Sequence, residues 1–437
     1  MLHVTLLAAY LAMTLVLFIV AVSTLIWMVD SWRVPEAAAE TAFPEPDRPR
    51  LTFSLLLPAR HEVAVLAATV TRLLQQDHPQ FEIVIIVGDD DGATDAVART
   101  LAEGDPRVSV VVDQHEVKNK PRALNTALPY CAGEIVGVFD AEDQVAPSLL
   151  RHVDAVFRKD RAHVVQGGVQ LMNYRTAWWS LRNVLEYFFW FSSRLHFHAR
   201  ARFIPLGGNT VFARTDLLRK AGGWDPDCLA EDCELGVRLS SWGARVSVAF
   251  DPALATREET PPTLGGLYRQ RTRWNQGYLQ VLRKGEWRRL PTGAQRLMAV
   301  YLLSMPFAQA LAGVMIPVAV LTMVFLRAPD PFVLATFAPL LPTVVMVAVE
   351  AAGLHEFGRA FGERVRVRDY ARLVAGTVPY QIVLAAAAIR AAVRELRGVR
   401  GWEKTEHLGA HLASAAAQRD PGGAASGCPP ERKWGLG

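Results

Sequence analysis

The sequence predicts an α/β domain built on a doubly wound, mostly parallel sheet and joined to α-helical membrane segments. Three observations carry this reading. Short apolar runs alternate with helix-patterned stretches from Leu51 onward, long apolar runs lie before and after that region, and acids gather where the short runs stop.

No residue between Val4 and Val29 is charged, a run longer than the roughly 20 residues that cross a bilayer. It has neither a basic start nor a small-residue cleavage site, so it reads as an anchor over residues 1–32 and not as a removed signal peptide. Arg33, Arg48 and Arg50 follow it, and this charge bias places the next domain in the cytosol. Residues 33–50, rich in proline and alanine, read as a linker. The domain over 51–294 opens with "LTFSLLLPAR" and "FEIVIIVGDD" as strands, with the helical pattern "VAVLAATVTRLLQQ" between them. "VSVVVD", "RALNTALPYC" and "EIVGVFD" repeat the alternation, which calls for a parallel sheet with ligands at the carboxyl ends of its strands. Residues 295–393 are apolar again, with candidate spans at Leu297–Leu326, Phe332–Ala352 and Leu373–Ala392. The basic segment "EFGRAFGERVRVRDYAR" and the basic tail beyond the last span both call for the cytosolic face, so that span is expected to be re-entrant, interfacial or a hairpin. Within the tail, residues 394–437, the end reads as disordered.

Composition narrows the function. A net charge of +4 is too small to argue for nucleic acid, and the basic residues gather near the membrane segments, where anionic lipid is the simpler partner. Cys131, Cys228, Cys233 and Cys428 form no paired CxxC pattern, which argues against structural zinc and fits a reducing compartment. The apolar spans carry almost no charge of the kind that marks a transport path; Glu350 is a lone acid near a span end.

The chemistry lies in the acids. In "VGDDDGATD" an Asp-Gly turn explains one acid, but Asp89, Asp90 and Asp91 are joined by a second strand-end cluster, Asp140, Glu142 and Asp143 in "VFDAEDQ". Clustered hard oxygens suit Mg2+ or Mn2+, which also bind phosphate oxygens. Arg60 and Glu62 at the first strand end, with Lys118, Lys120 and Arg122 in "KNKPRALN", add groups that can pair with phosphates. Glu231 and Asp232 open a helical pattern continued by Leu235, Val237 and Leu239, where acids also favour the helix dipole. His196 and His198 lie in an aromatic stretch without an acidic partner, which argues against a metal pair. "WWSLRNVLEYFFWFSSRLHF" reads equally as an amphipathic helix at the lipid surface or as a core helix.

"LLPARHE", "DDDGATD", "KPRALN", "DAED", "GGNTVFAR", "LAEDCELGVRLS" and "QRTRW" occur in the order and approximate spacing of the membrane-embedded family-2 glycosyltransferases. The resemblance is to the cellulose, chitin, hyaluronan and poly-N-acetylglucosamine synthases, and it covers roughly Leu51 to Gly293, the flanking apolar segments and "GWEKTEH". It implies a Rossmann-like GT-A domain. It further implies that Asp90 or Asp91 holds uridine with the turn from Pro58 through Arg60 to Glu62, and that Lys120 and Arg122 lie near the diphosphate. Asp140 would bind the metal together with Glu142 or Asp143, since this chain has Asp-Ala-Glu-Asp where the family often has Asp-Ala-Asp. By the same resemblance Asp232, beside Glu231, is the base, and Gly207, Gly208 and Asn209 form the acceptor-side loop. Gln270, Arg273 and Trp274 form the Q-x-x-R-W signature, with Arg273 toward the diphosphate and Trp274 toward an acceptor sugar.

The implied protein is an inverting, Mg2+- or Mn2+-dependent transferase, multi-pass in the plasma membrane, with its catalytic domain in the cytosol. It would move a sugar from a UDP-sugar to a growing β-linked polysaccharide, with a homo-oligomer or accessory export subunit completing a channel. The alternatives are transfer of one sugar to a membrane lipid, and an inactive membrane-anchored nucleotide or polysaccharide sensor.

Overall fold

The computed structural model describes residues 2–33, 48–325 and 338–403. Most of the expected linker (34–47), part of the second expected C-terminal span (332–337) and the tail from 404 onward lie outside the described residues. The strands are β1 Phe53–Pro58, β2 Phe81–Gly88, β3 Val108–Asp113, β4 Ile135–Val138, β5 Val164–Gly167, β6 Val169–Leu171, β7 Val211–Arg214, β8 Val246–Ala249 and β9 Thr256–Glu258. Seven of them form one sheet in the order β3-β2-β1-β4-β7-β5-β8, while β6 and β9 make a separate parallel pair.

β1 lies parallel to β2 and β4, β2 to β3, and β5 to β8, whereas β7 runs antiparallel to β4 and β5. β1 and β2 are nearly continuous apolar runs because helices cover both faces of the sheet. Leu55, Leu57, Ile83 and Ile85 face one core with Val153 and Phe157; Leu56, Val84 and Ile86 face another with Leu124, Leu235 and Leu239. This is the two-residue alternation of a pleated strand.

The strand order reverses between β1 and β4, so the loops after these two strands flank a crevice of the kind that holds ligands in doubly wound sheets. Antiparallel β7 enters where β4 leaves, Val138 facing Val211. The loop Gly207–Asn209, just before β7, is therefore delivered to the same edge as Asp140–Asp143.

Two helices, Tyr10–Met28 and Leu340–Phe361, are long and apolar enough to cross a membrane. Two further pairs pass that test only when joined across a bend: Gly293–Leu303 with Met305–Met315 at 45°, and Val367–Ala375 with Thr377–Leu396 at 44°. Pro306 follows the first break, and Gly376 occupies the second with Pro379 just beyond, residues that interrupt a helical hydrogen-bond ladder. The third expected span thus starts earlier, at Val367, and is bent.

Of the two readings of the aromatic stretch, the structure supports the core helix. Leu181, Val184, Leu185 and Phe188 of helix Ser180–Phe189 are buried against Leu354, Phe357 and Leu373, so this helix is packed between the sheet domain and the apolar helices. The N-terminal helix docks too: the Trp27 ring lies 5.5 Å from His198, and the Ser193 hydroxyl donates to the Trp27 carbonyl at 2.7 Å. Burial pushes His196 down to about 4 and His198 further, so both are neutral packing groups.

Candidate active site

After β1, His61 takes a left-handed backbone with φ 57°, and its amide donates to Asp91 at 2.5 Å. Asp91 also caps helix Gly92–Gly104, accepting from the Thr94 amide at 3.2 Å. It is buried, and its job is to clamp the β1 turn to the β2 turn. Asp90, half-exposed, pairs with Arg60 at 2.5 Å, and Asp89 with Lys118 at 2.6 Å. Of the two acids expected at a nucleoside, only Asp90 presents its carboxylate outward.

Lys120 opens helix Lys120–Ala127, whose start is fixed by the Asn119 side chain accepting from the Arg122 amide at 3.0 Å. Its ammonium donates to the Asp140 carboxylate and, at 2.8 Å, to the Gly208 carbonyl. Burial works against that charge, but Asp140 and Glu231 outweigh it and hold the ammonium above its ordinary range. Arg122 faces Asp227 at 3.5 Å.

Asp143 is fully buried and accepts from the Asp140 amide at 2.8 Å and from the Asn209 side chain at 2.8 Å. The same Asn209 amide reaches Glu258 of β9, so one neutral side chain bridges two buried acids. Thr210, left-handed at φ 51°, and Gln166 support this corner; Gln166 donates to the Asn209 carbonyl at 3.0 Å and accepts from the Gly207 amide at 2.8 Å. Burial, followed by the charges of Asp140 and Glu62, pushes Glu142 up to about 8. Asp143 is raised by burial and then by Glu258.

This surplus of negative charge is what a divalent cation would relieve. Among the described residues no three His, Cys, Asp or Glu side chains converge as a ready-made metal cage. Mg2+ and Mn2+ do not need one beside a diphosphate, since one or two carboxylates plus phosphate oxygens suffice. Asp140 and Glu142 fit that donor set, while both oxygens of Asp143 are already engaged.

Glu231 and Asp232 begin helix Glu231–Ser241. Burial pushes Glu231 up to about 7, with the Asp232 charge adding to the shift and Lys120 and Arg273 opposing it. Asp232 is raised as well, by burial. Its carboxylate sits against Gly208, where an added Cβ would come within 3.1 Å of it.

The signature helix, Leu264–Lys284, starts at Thr263, which accepts from the Gly266 amide at 3.0 Å. Gly277 lies on Ala230, where a Cβ would meet the Ala230 Cβ at 2.4 Å; only glycine lets this helix rest on the residue preceding the acid pair. Gln280 accepts from the Leu229 amide at 2.8 Å and fixes the same junction. Gln270 is buried, and its side-chain oxygen has no partner among the described residues. Arg271 lies over the Trp274 ring at 4.8 Å and ties the helix to Glu186 and to Asn183 at 2.5 Å. Arg273 lies over the ring of Trp402 at 4.4 Å, and Glu403 beside it is bound by Arg390 at 2.8 Å and Arg394 at 2.9 Å. The segment that reads "GWE" thus covers the signature helix.

Sequence reasoning missed Glu258, Gln166 and the position of Trp402. Gln166 had a readable signal, a polar residue ending an apolar strand, which must find partners once buried. Glu258 lies in a three-residue strand too short for any period to show.

A doubly wound sheet with two acid clusters at its carboxyl edge, a lysine between them and an acid-led helix under an Arg-Trp helix defines a GT-A glycosyltransferase. The chain matches the family described as "Glycosyltransferase like family 2" over residues 49–277 and belongs to it. It is 32% identical over 235 residues to the beta-monoglucosyldiacylglycerol synthase of Nostoc sp., covering 52% of this chain and 49% of that one. It is 25% identical over 257 residues to the poly-beta-1,6-N-acetyl-D-glucosamine synthase of Staphylococcus epidermidis, covering 57% and 59%. The match spans about half the length of these relatives. A solved mannosyltransferase from Pyrobaculum calidifontis, in complex with GDP-Man and Mn2+, shares the fold with a TM-score of 0.52 at 20% identity, over 89% of this chain and 99% of that one.

Proposed function

We propose that the protein transfers a sugar from a UDP-sugar, with inversion, to the end of a growing β-linked polysaccharide at the cytosolic face of a membrane. The observation that carries this is the convergence of Asp232, Gly208 and Lys120: a raised, half-buried acid and a bound ammonium meet at one glycine.

Inversion needs the acceptor oxygen to bond to the anomeric carbon as the bond from that carbon to the diphosphate breaks. Asp232 takes the acceptor proton as general base. Lys120 and Arg273 stabilise the negative charge that develops on the departing diphosphate. Asp90 and Arg60 frame the nucleoside, with Pro58, Glu62 and Arg122 shaping that end. Asp140 and Glu142 would hold Mg2+ or Mn2+, which when bound would supply further neutralisation of the diphosphate. Asp143 and Asn209 position Asp140. Cys228 and Cys233, buried with thiols pushed up by desolvation, are unsuited to act as nucleophiles. The two straight apolar helices anchor the domain in the bilayer, and an export path would be completed by a second copy or an accessory subunit.

The identity to a glucolipid synthase favours a second reading, transfer of one sugar to a membrane lipid. UDP release by protein in nanodiscs, with Mg2+ or Mn2+ and a panel of UDP-sugars, tests both readings beside Asp232→Asn. Turnover abolished by the substitution supports the transferase, and the size of the product separates polymer from glycolipid. UDP binding without turnover under all conditions would leave only a binding protein.

A further inference from the structure

Helix Ser180–Phe189 runs directly into a π-helical turn, Trp190–Arg194, a distortion often found where a helix is bent to serve a site. Two aromatic residues of this segment reach the acceptor side. The Phe191 ring lies 3.7 Å from the place a Cβ would take on Gly207. The Tyr187 ring lies 6.1 Å from Phe191 and 6.3 Å from Trp274, tilted 41° to the indole. Tyr187 therefore joins the two elements assigned to the acceptor, the glycine loop and the signature tryptophan. Arg271 occupies one face of Trp274, so that face is closed to a ligand.

Tyr187 is only partly buried. Burial and then the charge of Glu258 push its phenol well above the ordinary value, with Arg271 and Arg273 pulling the other way. It stays a neutral donor across the working pH range, in electrostatic reach of Asp140 and of the signature arginines.

We propose that Tyr187 is an acceptor-binding residue, its ring and that of Trp274 forming a two-walled aromatic corner for a terminal sugar ring, and its hydroxyl donating to an oxygen of that ring. The ligand class follows from the shape. A pyranose offers a flat C–H face to aromatic rings and a rim of hydroxyls to a phenol, whereas the glycerol of a diacylglycerol offers no ring to stack. This assignment rests on the transferase reading and narrows it to a saccharide acceptor.

The test uses the full chain in nanodiscs, with a β-linked oligosaccharide of glucose or N-acetylglucosamine, or dioleoylglycerol, as acceptor. UDP release is measured for the wild type, Tyr187→Phe and Tyr187→Ala. With the oligosaccharide, Tyr187→Phe is expected to raise the acceptor KM about five-fold, the loss of one hydrogen bond. Tyr187→Ala should raise it tenfold or more, roughly the loss of an aromatic contact as well. The donor KM and UDP affinity should hold in both, which also shows that the variants fold. A donor KM that rises in parallel, or an acceptor KM that stays put, overturns the assignment. So does wild-type turnover with dioleoylglycerol alone, which leaves the transferase reading intact. Absence of wild-type turnover with every acceptor removes that reading and the assignment together.

Discussion

Gly208 and Asp232 touch so closely that the smallest possible side chain at position 208 would stand 3.1 Å from the Asp232 carboxylate. That space is where an acceptor hydroxyl must lie if Asp232 is the base. Gly208→Ala should therefore lower kcat by about 10²-fold, the scale of a misplacement of roughly one ångström, while UDP binding is kept. Single-turnover kinetics beside UDP calorimetry checks it; loss of UDP affinity in step with kcat would show collapse of the loop instead.

The raised acid pair fixes a pH profile. A base must be deprotonated to act, and burial pushes Glu231 up to about 7 with Asp232 raised beside it. kcat/KM should thus climb with pH over a range displaced upward from that of an ordinary aspartate. Glu231→Gln removes a neighbouring negative charge and should move the climb toward acid. Stability runs the other way: Glu231's contribution is fully present below its ordinary value of 4.5 and is lost as pH rises through about 7. Melting at pH 5 and pH 8 should show a smaller alkaline loss for Glu231→Gln than for the wild type.

The sheet was legible because β1 and β2 are apolar on both faces, a pattern that few other environments produce. The acids at its edge were legible because carboxylates crowded at two strand ends repel one another and call for a cation or base to offset them. The division of labour among them was not. Asp91 differs from Asp90 in where its carboxylate points, which depends on the left-handed turn at His61, and Asp143 is committed by an asparagine 66 positions away. The bends at Ser304 and Gly376 escaped because hydropathy averages over a window and does not register a break. Trp402 could not be placed on Arg273 at all, because that contact depends on how the last apolar helix folds back along the signature helix.

Asn209 is predicted to matter for folding before catalysis. Its amide donates to Asp143 and to Glu258, and Asn209→Asp would set a third carboxylate between two buried ones. The cost should be about 3 kcal/mol or more, the scale of breaking a buried charged network, and it should shrink at acid pH, where the carboxylates protonate. Denaturant unfolding at pH 5 and pH 7.5 measures this; equal losses at both would argue that the site admits water freely.

Trp402 offers a milder test. Its ring carries the Arg273 guanidinium at 4.4 Å, a contact of about 0.5–1 kcal/mol when partly exposed. Trp402→Ala should raise the donor KM about two- to five-fold and leave the melting temperature nearly unchanged. A donor KM equal to the wild type's would mean that the segment covers the signature helix without helping Arg273 to hold the diphosphate.

Glu350 is the acid that interrupts an apolar helix, and Arg182 answers it with two hydrogen bonds, at 2.7 and 2.8 Å. The same guanidinium donates to the Leu373 carbonyl at 3.1 Å and to the Thr377 hydroxyl at 2.9 Å, so one side chain pins two apolar helices to the domain. Removing one partner leaves the other charge buried and unpaired. Glu350→Ala is expected to cost about 3–5 kcal/mol, whereas Arg182→Met with Glu350→Leu should recover much of that, because an apolar pair carries no desolvation penalty. Turnover per folded molecule should be close to wild type in the double variant if the pair is structural. A double variant that folds yet transfers no sugar would assign the pair to the reaction path and reopen the question of what moves through these helices.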